Sequence, residues 1–176
     1  MTKEQNQESW LDELEKKAGD YEELFASCSQ GTLLALQEHF NLGNAEVLKA
    51  ATAMPGMALR GDTCGAVVAG IMALGLAFGR EKADDMAAVT RTTSAARKLC
   101  KRFEAEFGGC NCRDVQHGIF GRSFNLTDPR ESMEFVKANA IKKCLEPWPA
   151  ITLIYLWITP YFVSHKLSPC KLVLYL

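Results

Sequence analysis

The sequence predicts an all-α protein, a single-domain bundle of about six helices with an atypical apolar C-terminal tail. Three observations carry this. Apolar residues recur at three- and four-residue spacing in successive segments. Those segments open on Ser, Asn or Asp and close on Gly, Asn or Pro. The alternation of strands and helices that builds a parallel sheet is missing.

In chain order, Trp10, Leu11 and Leu14, then Tyr21, Leu24 and Phe25, give two short amphipathic helices broken at Gly19-Asp20. Leu33, Leu34, Leu36, Gln37 and Phe40 share the face of the next helix. Ser27 caps it, which leaves Cys28 at its start, and Asn41-Leu42-Gly43 stops it. Asn44 caps a short helix through Met54, and Pro55-Gly56 breaks the chain. Met57 to Gly61 is a loop, read either as the cover of a site or as an apolar connector.

The rest is organised around the helix in Asp62 to Phe78, with Asp62 or Thr63 as its cap. Cys64 then falls in the first turn, where the helix dipole favours a thiolate. Gly65, Ala69 and Ala73 form one small-residue row, with Ala66 and Gly70 beside it. Glycine weakens a helix, so Gly65, Gly70 and Gly75 imply close approach of another helix or of a cofactor beside Cys64. The plainer reading is an ordinary buried thiol in a tight core.

Gly79 ends that helix, and Lys82 to Phe107 forms a long one with Met86, Val89, Ala96, Leu99, Phe103 and Phe107 inward. Its basic residues read as a solvated face, and Cys100 as a small hydrophobe within it. After Gly108-Gly109, Asn111 caps a helix opening at Arg113, which leaves Cys112 at a helix start. Asp128-Pro129 starts the helix Arg130 to Leu145, with Cys144 in its last turn. His39 and His117 read as surface residues.

The tail is different. Pro147 to His165 carries no formal charge, and its apolar core is interrupted by Pro160. It reads as a packed or dimer-covering arm, as a membrane-associating segment, or as an aberrant terminus. Cys170 lies there without a role. The domain is therefore placed at 1–146 and the tail at 147–176.

The 176 residues carry a net charge of −1, which gives no basic field for nucleic acid. The N-terminus is charged and lacks an apolar leader, so a cytoplasmic location is expected, with membrane association through 147–165 as the alternative. Seven cysteines in a reducing compartment point to metal binding, catalysis or redox sensing rather than structural disulfides. C-x-C at Cys110-Asn111-Cys112 lacks thioredoxin or zinc spacing. Without C-x-x-C-H, covalent c-type haem is not expected. No phosphate-binding glycine loop, nucleophile elbow or HExxH is present.

Cys28, the Cys64-Gly65-Ala66 helix start, Cys112 and Cys144 resemble the C_GCAxxG_C_C family of redox-active proteins, related to the N-terminal part of split-Soret cytochromes c. The resemblance covers roughly residues 24–146. It is carried by CSQGTLLALQEHF, AMPGMALRGDTCGAVVAGIMALGLAFG, FGGCNCRDV and KKC. Ala69 stands where the signature's closing glycine is expected, with Gly70 next, and Cys110 is an extra thiol.

The resemblance implies that Cys28, Cys64, Cys112 and Cys144 are the redox-active set. Four thiolates would suit zinc or an iron–sulfur cluster as metal ligands. A close pair would instead support dithiol–disulfide exchange with a redox partner. The competing class is a helical interaction module with merely buried cysteines, tethered to a partner or membrane by its tail.

Overall fold

The computed structural model describes the backbone of residues 3–144 and the side chains of residues 12–144. The expectations for the tail, 147–176, and for Cys170 and His165 lie outside the described residues. Within them the chain is all-α, with eight helices and no strand. These are α1 (Lys3–Phe25), α2 (Cys28–Phe40), α3 (Ala45–Ala50), α4 (Gly65–Phe78), α5 (Met86–Phe107), α6 (Cys112–Phe120), α7 (Pro129–Lys137) and α8 (Ala140–Lys143).

Helix α4 is the inner element. It is apolar on nearly every face, as a helix enclosed by others must be. It packs between α2 and α5, and α1 packs on α2. Leu36, Val67, Leu74, Leu99 and Phe103 fill these contacts, each at most 3% exposed. Each such side chain contributes roughly 1.5–3 kcal/mol by leaving water. The expected small row is buried along its length: Gly65, Ala66, Ala69, Gly70 and Ala73. Gly75 needs no such explanation, because a methyl group there would meet open space. Among the described residues no helix is long and apolar enough to cross a membrane.

Several helix ends follow the sequence reading. The Ser27 hydroxyl accepts from the Gln30 N–H at 3.4 Å, and Asn44 Oδ1 accepts from the Val47 N–H at 3.1 Å. Asp128 Oδ1 accepts from the Arg130 N–H at 2.8 Å, with Pro129 in the first turn. Gly108 and Gly121 close α5 and α6 with left-handed φ of 78° and 69°.

Five expectations are corrected. The break at Gly19-Asp20 is absent, because Leu14, Ala18 and Glu22 put one continuous buried face on α1. That packing outweighs the roughly 1 kcal/mol a mid-helix glycine costs. Helix α5 starts at Met86 rather than Lys82, because Asp85 Oδ1 takes the Ala88 N–H at 2.9 Å. Met86, expected inside, is 60% exposed at that first turn. The helix expected over Arg130 to Leu145 is two, since Asn139 turns left-handed at φ 53° and separates α7 from α8. Finally, Cys64 itself occupies the cap position of α4, in place of Asp62 or Thr63.

Candidate functional site

Each of the four family-like cysteines sits at the end of an element. Cys28 and Cys112 are the first residues of α2 and α6, Cys64 caps α4, and Cys144 closes α8. Helix α6 thus opens one residue earlier than expected, with Asn111 at its cap position. Backbone bonds fix two of these ends to each other. The Cys64 N–H donates to the Cys110 carbonyl at 2.8 Å, and the Cys112 N–H donates to the Asp62 carbonyl at 2.6 Å. Thr63 and Asn111 form an isolated bridge between these bonds. Arg113 strengthens the joint by donating to the Gly61 carbonyl at 3.1 Å and to Asp62 Oδ1 at 2.9 Å.

The glycines explain how the other elements come close. A Cβ on Gly65 would lie 2.5 Å from Cys28 Sγ and 3.0 Å from Pro55 Cα. Only a bare backbone lets the Cys28 sulfur rest beside Cys64, so the close approach expected along α4 is real at this glycine. Gly31 does the same for α1, since a side chain there would run into the Glu22 backbone. Between α3 and α4, Gly56 to Leu59 makes one left-handed turn, with φ of 51°, 49°, 62° and 65°. Left-handed backbone costs roughly 1–2 kcal/mol per non-glycine residue, so the surrounding structure must hold this turn in place. Gly56 lies against Cys112, and Leu59 faces the same space as the cysteines.

That space is a cavity of about 210 Å³, and Cys28, Cys64, Cys112 and Cys144 all line it. The expected set therefore shares one chamber. Cys110 does not join it; its sulfur turns to α5, 3.7 Å from the Cys100 carbonyl and 3.8 Å from Glu104 Oε1. His117 is exposed, and so is His39, far along α2. Partial desolvation of its ring by the surrounding helices, and then the Lys17 ammonium, hold His39 below its ordinary pKa even though the residue as a whole remains exposed. Among the described residues, no three His, Cys, Asp or Glu side chains gather closely enough to hold a metal ion. The four thiols line the wall of the chamber.

The electrostatics reverse one expectation. The dipole of α4 was to favour a Cys64 thiolate, and the N–H groups of Ala66 and Val67 do pull its pKa down. Burial outweighs them and pushes the Cys64 thiol up to about 12, with Cys112 adding to the rise. Cys28 is held well above its usual range by burial, then by Glu22 and the other three thiols. Cys144 is raised by burial and then by Cys64 and Cys112. Cys112 is raised mainly by burial too, but here two groups oppose the rise. Gln116 Nε2 donates to its sulfur at 3.2 Å, and the Arg113 guanidinium also favours the thiolate.

Two residues, one behind Cys112 and one on the cavity wall, escape a reading of apolar spacing and cysteines. Gln116 is fully buried, donates to Cys112 Sγ through one end and accepts the Phe124 N–H at 2.7 Å through the other. Its position four residues after Cys112, one helical turn on, is the signal that could have found it. Glu22 lines the cavity, is 0% exposed, and has no protein partner for either carboxylate oxygen. Burial raises its pKa well above the carboxylate range. Its signal was a lone acid on the inward face of α1, eight residues after Leu14.

No curated protein and no solved structure matches the chain. A family model described as "Putative redox-active protein (C_GCAxxG_C_C)" matches residues 26–147, from just before the first cap to just past Cys144. That span contains all four cavity cysteines, and the chain belongs to the C_GCAxxG_C_C family of redox-active proteins.

Proposed function

We propose that this chain is a dithiol–disulfide redox protein whose working thiols are Cys28, Cys64, Cys112 and Cys144. The observation that carries this reading is their shared cavity together with the Gln116 hydrogen bond to Cys112. Cys112 is the attacking thiol, because Gln116 and the Arg113 guanidinium favour its thiolate, whereas at Cys64 burial overrides the Ala66 and Val67 N–H groups and lifts the thiol to about 12. Its thiolate attacks one sulfur of a partner's disulfide, forming a mixed disulfide and releasing one partner thiolate. A second cavity thiol, Cys64 across the backbone joint, then attacks the mixed disulfide. The protein ends with one S–S bond, the partner with two thiols, and two protons pass from protein to partner. Burial of the remaining thiols keeps them protonated and slow to react with stray oxidants.

A second reading is favoured by the same burial. Thiols raised by desolvation are what an interaction module with inert structural cysteines would also hold. Reaction of the reduced protein with a small disulfide separates the two. The redox reading expects two thiols lost per chain and no reaction in Cys112→Ser. Full retention of thiols at pH 8 over hours, with the protein folded, would leave the interaction module.

A further inference from the structure

We propose, resting on the dithiol reading above, that the cavity binds the electron acceptor itself. The acceptor is a small apolar carbonyl compound, a one-ring quinone, held by a hydrogen bond from Glu22. Three observations converge on this class. The first is size. Protein interiors are packed with few voids larger than a water molecule, yet this chamber measures about 210 Å³. An apolar cavity of about 150 Å³ already takes benzene, so one substituted ring fits.

The second is the wall. Ala66, Val115, Leu126, Phe135 and Ile141 face the space, and no Lys, Arg or His is among the described lining residues. An anionic or peptide-like ligand would find no countercharge there. Leu59 and Val136 line the cavity while remaining 43% and 57% exposed, so the rim between the left-handed turn and α7 opens to solvent. A small uncharged molecule can enter.

The third is Glu22. A buried polar group left without a partner costs about 1–3 kcal/mol, and neither oxygen of this one has a protein partner. As a neutral acid it offers one O–H donor to the cavity, which a carbonyl oxygen satisfies. The reaction balances without another reagent. Two cavity thiols lose their S–H bonds and form one S–S bond, while the quinone takes both electrons. Both thiol protons end on its oxygens, giving the hydroquinone. Glu22 finishes as it began, having stabilised the charge developing on one oxygen.

The test uses the reduced full chain, without oxygen, and duroquinone, whose four ring methyls block thiol addition at ring C–H positions. A neutral disulfide, 2-hydroxyethyl disulfide, serves as the parallel oxidant. Wild type is expected to form one hydroquinone for every two thiols lost. Glu22→Leu, which fills the position with an apolar side chain, should slow quinone reduction roughly 100-fold. Its exchange with the disulfide should keep the wild-type rate to within about tenfold, since Glu22 acts on the thiols only as one raising influence behind burial. Glu22→Gln, which retains a donor, should stay within about tenfold of wild type. A Glu22→Leu variant that reduces duroquinone at the wild-type rate, or loses both reactions equally, would overturn the proposal. Wild type that exchanges with the disulfide but not with duroquinone overturns this inference and leaves the dithiol reading standing. Thiols inert to both oxidants overturn both.

Discussion

Replacing Glu22 by leucine should make the protein more stable, and by an amount that grows with pH. In the native state the side chain is fully buried and burial alone raises its pKa. In the unfolded chain it titrates near its ordinary 4.5. Above that pH the native state holds a proton that the unfolded state has released. The Glu22 contribution is therefore fully present below pH 4.5 and is lost as pH rises toward the raised native value. Within that window the loss is about 1.4 kcal/mol per pH unit. Even the neutral acid lacks a protein partner, a further cost of about 1–3 kcal/mol that leucine does not carry. Urea unfolding of wild type and Glu22→Leu under reducing conditions, at pH 5, 6 and 7 and constant ionic strength, reads both terms. Every other carboxylate is common to the two proteins and cancels in the difference. Parallel stability curves, or a less stable variant at every pH, would refute the reasoning, because Glu22 would then be as well solvated folded as unfolded.

Other outcomes follow from the same geometry. Gly65→Ala puts a methyl group 2.5 Å from Cys28 Sγ and should cost about 1–3 kcal/mol in a thermal melt; an unchanged Tm would contradict the close approach. Gln116→Leu removes the donor to Cys112 and strands the Phe124 N–H. The pH profile of Cys112 alkylation, followed by peptide mass, should then move upward, and an unmoved profile would deny Gln116 its role. Ala58→Gly relieves a residue at φ 62° and should raise the urea midpoint, corresponding to about 0.5–1 kcal/mol. A lowered midpoint would mean that the turn is unstrained.

Much of this fold is written in local chemistry. Ser27, Asn44 and Asp128 cap as their side chains require, and Cys28 opens α2 behind Ser27, whereas Asn111 stands at the α6 cap position without a side-chain cap bond. The small row on α4 buries as its spacing demands. What local chemistry misses is tertiary. Gly19-Asp20 looks like a break until Leu14, Ala18 and Glu22 pack as one face. The α4 dipole favours a thiolate at Cys64 until desolvation, a property of the assembled core, overrides it. Asn139 takes a left-handed turn inside an apolar pattern that reads as one continuous helix. Glu22 and Gln116 read as ordinary polar positions on helices, and only the packing of the helices buries Glu22 on the cavity wall and Gln116 behind Cys112.

The account rests on the cavity thiols forming the redox pair, and disulfide mapping tests this most directly. Reduced protein would be oxidised with one equivalent of 2-hydroxyethyl disulfide, alkylated, digested and read by mass spectrometry. The account predicts one intramolecular disulfide that joins Cys112 to another of Cys28, Cys64 and Cys144. A disulfide between Cys100 and Cys110, the neighbours outside the chamber, or no disulfide at all, would contradict it.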